Sequence, residues 1–201
     1  MDSKLTMDFL NKIKPLEDKE YLLSTILFHG APVLYGKKPS CLISFNCGKR
    51  DMYRLWNTYR LEITRLIGLN YFELYREPER ELVLFYNPRY LEDTMLRADN
   101  MQFLLGLGYD NFKSPLEALE KLRDRFNPAT SHEIGIMLGI PCRDVEGFIN
   151  NSGMNYIMNG YWKVYTRPHR AIRLFREYDD SRRNVIKKIL GSCNKNFISH
   201  I

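Results

Sequence analysis

Apolar and polar positions along this chain switch repeatedly between a helical and a strand period. Residues 6–14 and 18–28 read as short helices around "KPLED". The next stretch, "HGAPVLYGKKPSCLISF", is punctuated by Gly30, Pro32, Gly36 and Pro39, and closes on a strand from Cys41 to Phe45. In "DMYRLWNTYRLEITRLIGL", Met52, Leu55, Trp56, Tyr59, Ile63 and Leu66 recur at three- and four-residue steps, which predicts an amphipathic helix. Gly68 suits its C-terminal cap.

"YFELYREPERELVLFYN" predicts a β-hairpin with "REPERE" as its turn. "LVLFY" is apolar at consecutive positions, so that strand is buried on both faces and central. Asn87 and Pro88 have the residue types of an N-cap and first helical position, and helices follow over 88–97 and 100–106. "GLGYDNFKSP" divides the chain into two halves, 1–110 and 111–201, which are either two units or one continuous domain. Ser114, Pro115 and Glu117 begin a helix ending near Phe126, and Thr130 with Glu133 predicts a second capping box. Asn159-Gly160, between aromatic-rich runs, predicts a two-residue hairpin turn. Pro168 opens a final helix with Ala171, Leu174, Phe175, Tyr178, Val185 and Ile189 as its apolar stripe, and the tail after Gly191 reads as loose. The expected fold class is α+β. A small antiparallel sheet with helices occupies the N-terminal half. The C-terminal half is mainly helical, with a helix-turn-helix-like corner and one hairpin.

Composition changes this picture little. With 44% hydrophobic and 27% charged residues over 201 positions, the chain is an ordinary globular one. No apolar run approaches the ~18 residues of a membrane span. The N-terminus lacks a signal-peptide core, so a cytosolic location is expected and no membrane partner. Cys41, Cys47, Cys142 and Cys193 contain no C-x-x-C pair, so they read as reduced thiols and not as a metal site. Charge matters more. From Lys163 onward 10 Lys+Arg stand against 3 Asp+Glu, whereas residues 1–162 carry 20 and 21. The basic excess belongs to the C-terminal segment, and Arg182, Arg183, Lys187 and Lys188 crowd its helix.

In "TSHEIGIMLGIPCRDVEGFI", Ile134, Leu138, Ile140, Val145 and Phe148 flank Gly139 with helix-turn-helix spacing, and small Gly135 suits a helix crossing. The hairpin that follows extends the likeness to winged domains. The second helix would then offer Arg143, Asp144, Glu146, Gly147, Asn150 and Asn151 to a groove. Two carboxylates on a phosphate-lined surface are unfavourable, and Arg143 alone is thin support. The corner therefore reads as packing before DNA binding.

This motif, followed by "GYWKVY", resembles the DUF3793 family of bacterial proteins of unknown function, as do "APVLYGKKPSCLISF" and "LVLFYNPRYL" upstream. The resemblance runs from about residue 20 to 180. It singles out His132, Glu133, Gly135, Gly139, Pro141, Asp144, Gly147, Lys163 and Tyr165, with Lys38 and Pro39 upstream. Ile140 replaces a commonly aromatic position, and Cys142 stands where the family usually has no cysteine. The resemblance implies no activity.

Function must therefore be argued from side chains. His132, near a helix start, is the one candidate for proton transfer if the protein is an enzyme at all. Residue 136 is Ile, so H-E-x-x-H zinc chemistry is excluded, and no phosphate loop or nucleophile elbow is present. By strand alternation Tyr161, Lys163 and Tyr165 share one face, with Trp162 and Val164 on the other. Lys37 and Lys38 lie in a shaped turn, and His29 is a further pocket candidate. The leading expectation is a small anionic ligand or unidentified cofactor held by Lys38, His132 and Lys163, with Tyr161 and Tyr165 as walls. One alternative is nucleic-acid binding through Arg143, Arg182, Arg183 and Lys187. The other is an adaptor docking an acidic partner protein on the final helix.

Overall fold

A computed structural model describes residues 3–110 and 112–191. Among these residues the elements are, in order, α1 (Ser3–Ile13), α2 (Asp18–Leu34), β1 (Ser40–Asn46), α3 (Met52–Ile67), β2 (Asn70–Glu77), β3 (Arg80–Tyr86), α4 (Pro88–Met95) and α5 (Ala98–Gly106). There follow α6 (Pro115–Arg125), α7 (Ile134–Met137), α8 (Cys142–Asn150), β4 (Met158–Asn159), β5 (Lys163–Val164) and α9 (Pro168–Gly191). The fold is α+β, as the periodicities imply. The expected loose tail and Cys193 lie outside the described residues.

The larger sheet has the order β1-β3-β2, antiparallel throughout, so β3 is central. Its side chains alternate between two cores. Val83 and Phe85 join Phe45, Trp56 and the apolar face of α2 on one side, and Leu84 and Tyr86 join Phe72, Leu91, Leu104 and Met137 on the other. A strand that must satisfy both faces has no polar position to spare over its apolar run, which is why "LVLFY" breaks alternation. Both cores draw residues from either side of residue 110: Val185, Ile186 and Ile189 of α9 complete the first, and α6 to α8 complete the second. A third, smaller cluster gathers Trp162, Val164, Ala171 and Tyr178.

Local signals place several helix ends. Asn87 and Ser114 accept from the backbone N–H groups of Tyr90 and Glu117, each ahead of a proline. Gly68 closes α3 in the left-handed conformation at φ 66°.

Four local expectations are overturned. α2 runs through Gly30 and Pro32 to Leu34 because burial of Ala31, Pro32 and Val33 outweighs the poor helix propensity of Gly30 and Pro32. The turn between β2 and β3 is only Pro78-Glu79, since Glu77 and Arg80 still pair. The second hairpin turns over Gly160 to Trp162 because the Trp162 ring is drawn inward against Phe175, with centroids 4.5 Å apart. Finally, Thr130 and Glu133 form no capping box. Glu133 is buried and pairs with Arg125 at 3.1 Å, and the helix it precedes is one turn of four residues.

Candidate functional site

The short α7, the Gly139 turn and α8 pack against the hairpin of β4 and β5, and a cavity of about 360 Å³ opens between them. Gly135 permits the close crossing, since a Cβ there would lie 2.9 Å from Val145 Cγ2. Gly139 takes φ 78° and has Pro39 so near that a Cβ would meet it at 2.6 Å, while Ser40 Oγ donates to the Met137 carbonyl at 2.7 Å. The upstream Pro39 and the C-terminal motif thus meet in space.

The hydrogen-bonding centre of this region is Asp144. Its carboxylate accepts from Trp162 Nε1 at 2.8 Å, from the backbone N–H of Tyr165 at 3.0 Å and Thr166 at 2.8 Å, and from Thr166 Oγ1 at 3.1 Å. Asp144 is 2% exposed, so it is no groove-facing residue of a recognition helix. Gly147 is covered as well, because a Cβ there would sit 2.5 Å from Tyr165 Cγ. Of the residues expected on an open helix face, Arg143, Glu146 and Asn150 are exposed, and Asn151 is half-buried.

Three of the five expected ligand contacts line the cavity: His132, Tyr161 and Lys163. His132 is half-buried with its ring 5.5 Å from that of Phe148. Lys163 Nζ donates to the Gly153 carbonyl at 2.7 Å and lies 5.6 and 5.2 Å from the Phe148 and Tyr156 rings. An ammonium has three donors, so this leaves two available. The Tyr161 hydroxyl donates to Asp179 at 2.6 Å and accepts from Arg182 at 2.9 Å, so it is the ring that serves as wall. Burial and the Asp179 bond hold that phenol well above its ordinary pKa.

Lys38 and Tyr165 do not line this cavity. Lys38 sits 5.7 Å from the Tyr178 ring, and burial lowers its pKa. The Tyr165 hydroxyl is buried without a partner among the described residues, and its ring covers Gly147. His29 is exposed on α2 beside Phe28 and does not line it either. Neighbouring Cys41 is buried and its thiol is pushed up to about 11 by burial, which keeps it an inert thiol at neutral pH.

The basic candidates are dispersed. Arg182 packs between Phe28 and Tyr161, at 5.3 and 4.9 Å, and is bonded to the Tyr161 hydroxyl. Arg183 pairs with Asp180 on the same helix. Arg143 and Lys187 are exposed. Periodicity and spacing do not show that Asp144 is a buried acceptor, or that Arg167 and Arg170 line a second, smaller cavity where α8 and α9 begin. A sequence signal for Asp144 existed in its place in the shared motif.

No helix of the described residues is long and apolar enough to cross a membrane. The family model described as "Protein of unknown function (DUF3793)" matches residues 26–198. No curated protein and no solved structure matches the chain.

Proposed function

The chain belongs to the DUF3793 family, and we propose that it binds a small anionic ligand with an apolar body in the cavity between α7, α8 and the hairpin. One observation carries this reading. His132 ahead of α7, and Tyr161 and Lys163 of the hairpin, line a single cavity whose remaining walls are largely apolar, among them Leu138, Ile140 and Phe148. A concave, mostly apolar site with a few convergent polar groups is the usual form of a small-molecule site. Lys163 supplies the positive charge, His132 a ring-nitrogen donor or acceptor, and Tyr161 and Phe148 the flat walls. The expected contacts at Lys38 and Tyr165 drop out of this site because neither lines it. Should the ligand react, His132 is the group placed for proton transfer.

Nucleic-acid binding and docking of an acidic partner are less well supported. Arg182 and Arg183 are already engaged by Tyr161 and Asp180, and the α8 face needed for a groove is covered at Asp144 and Gly147.

The test uses anilinonaphthalene sulfonate, an aromatic anion, with Trp162 as energy donor and Trp162→Phe as control. Saturable transfer that weakens about tenfold or more in His132→Ala and Lys163→Met, with near-UV circular dichroism unchanged, supports the site. Transfer that is the same in both variants removes it.

A further inference from the structure

A second cavity, of about 130 Å³, lies where α8 and α9 begin, and Arg143, Arg167 and Arg170 line it together with Thr166. None of these three guanidinium groups has an ion-pair or hydrogen-bond partner among the described residues. Three guanidiniums around one concavity have donors free to converge on an anion. Arginine presents planar paired donors that match the oxygens of a phosphate. The nine-residue α8 and the long α9 start at the same place, and the backbone N–H groups of their first turns, Pro168 excepted, add to the positive field. The chain enters α9 through Arg167 at φ 47°, a left-handed conformation that an L-residue adopts at a cost.

Two carboxylates also face this cavity. Asp144 is saturated by Trp162, Tyr165 and Thr166, as described above. Asp99 accepts from the Asn100 backbone at 3.0 Å. Three cations against two anions leave an excess of one positive charge before the helix starts are counted. A larger cavity of about 490 Å³ adjoins between α5 and α8 and shares Asp99, Cys142 and Arg143, with Phe103, Leu107, Gln102 and Glu146 in its wall, so its polar groups suit the hydroxyls of an organic part and the positive excess belongs to the smaller cavity alone. Arg143 stands between the two.

We propose that Arg143, Arg167 and Arg170 bind the phosphate group of a small phosphate monoester, whose organic part occupies the adjoining cavity between α5 and α8. This site shares only the buried, saturated Asp144 with the one lined by His132 and Lys163, and either stands without the other.

The experiment titrates the full chain with inorganic phosphate and with glycerol phosphate at low ionic strength, followed by phosphorus NMR and calorimetry. Both should bind saturably, glycerol phosphate the more tightly. Arg143→Gln, Arg167→Gln and Arg170→Gln should each weaken both by about tenfold or more, while His132→Ala leaves them unchanged. The three arginines are exposed, so the variants should keep the wild-type near-UV spectrum. Four results would overturn the proposal. They are absence of saturable binding, binding indifferent to the three substitutions, equal loss in His132→Ala, or duplex DNA bound through these arginines while both phosphates stay unbound.

Discussion

The indole N–H of Trp162 donates to the carboxylate of Asp144 at 2.8 Å, and this bond fastens the hairpin to the helix behind it. Three further bonds from Tyr165 and Thr166 reach the same carboxylate, so the chain from 162 to 166 wraps around one buried charge. Asp144→Asn keeps the shape but turns an amide donor toward groups that are themselves donors. We expect a loss of about 3 kcal/mol in urea unfolding, with a red-shifted Trp162 emission. A loss below about 1 kcal/mol would mean that these bonds are interchangeable with water.

Gly147 offers a test in which the sign reverses. A mid-helix Gly→Ala change ordinarily stabilises by about 1 kcal/mol. Here the new methyl would lie 2.5 Å from Tyr165 Cγ, so Gly147→Ala should destabilise by about 1–3 kcal/mol. In a Tyr165→Ala background the same change should stabilise. A double-mutant cycle by denaturant unfolding reads this coupling, and additive effects would contradict the packing.

Glu133 is 2% exposed and accepts from Arg125 at 3.1 Å and from the Tyr109 hydroxyl at 3.4 Å. Removing the cation strands a buried carboxylate. Arg125→Met should cost about 2 kcal/mol, less than in a fully buried pair because the guanidinium reaches solvent. Adding Glu133→Gln should restore much of the loss. Thermal unfolding of the four proteins checks it, and a double variant no better than Arg125→Met would refute the pairing.

Glu81, on the central strand, is fully buried, and one of its carboxylate oxygens has no partner among the described residues. Burial, with Glu73 nearby, raises its pKa above the ordinary carboxylate value. The folded state therefore favours the protonated form. This contribution to stability is fully present below the unfolded value near ~4.3 and is lost as pH rises through the raised folded value. Glu81→Gln should be more stable than the parent at pH 7, and the gap should close on acidification. Urea midpoints between pH 4 and 8 would show it; a less stable variant at pH 7 would mean that the charge is paired.

The elements that were legible from the sequence are those whose cause is local. Asn87-Pro88, Ser114-Pro115 and Gly68 mark helix ends because a cap needs only its next three residues. The apolar run of β3 declares a strand with two covered faces. What stayed hidden depends on distant partners. Pro32 lies inside a helix because the core holds it there. Asp144 resembles a surface residue in the first turn of a helix until Trp162 and Thr166 arrive from another element. Within the candidate site, Tyr161 and Lys163 were readable as neighbours through alternation. Their meeting with His132 was not, since it depends on how α7 and the hairpin pack. Lys38 and Tyr165 share motifs with the site residues but answer to other packing demands.

α2 buries Leu22, Leu23, Ile26 and Leu27 in a core that Val185, Ile186 and Ile189 of α9 complete. During synthesis, on the order of ten seconds separate the emergence of these two helices at ordinary translation rates. For that interval the α2 face remains uncovered by its α9 partner. The nascent chain thus carries an apolar surface for most of its elongation, the kind of surface that invites aggregation until α9 arrives to cover it.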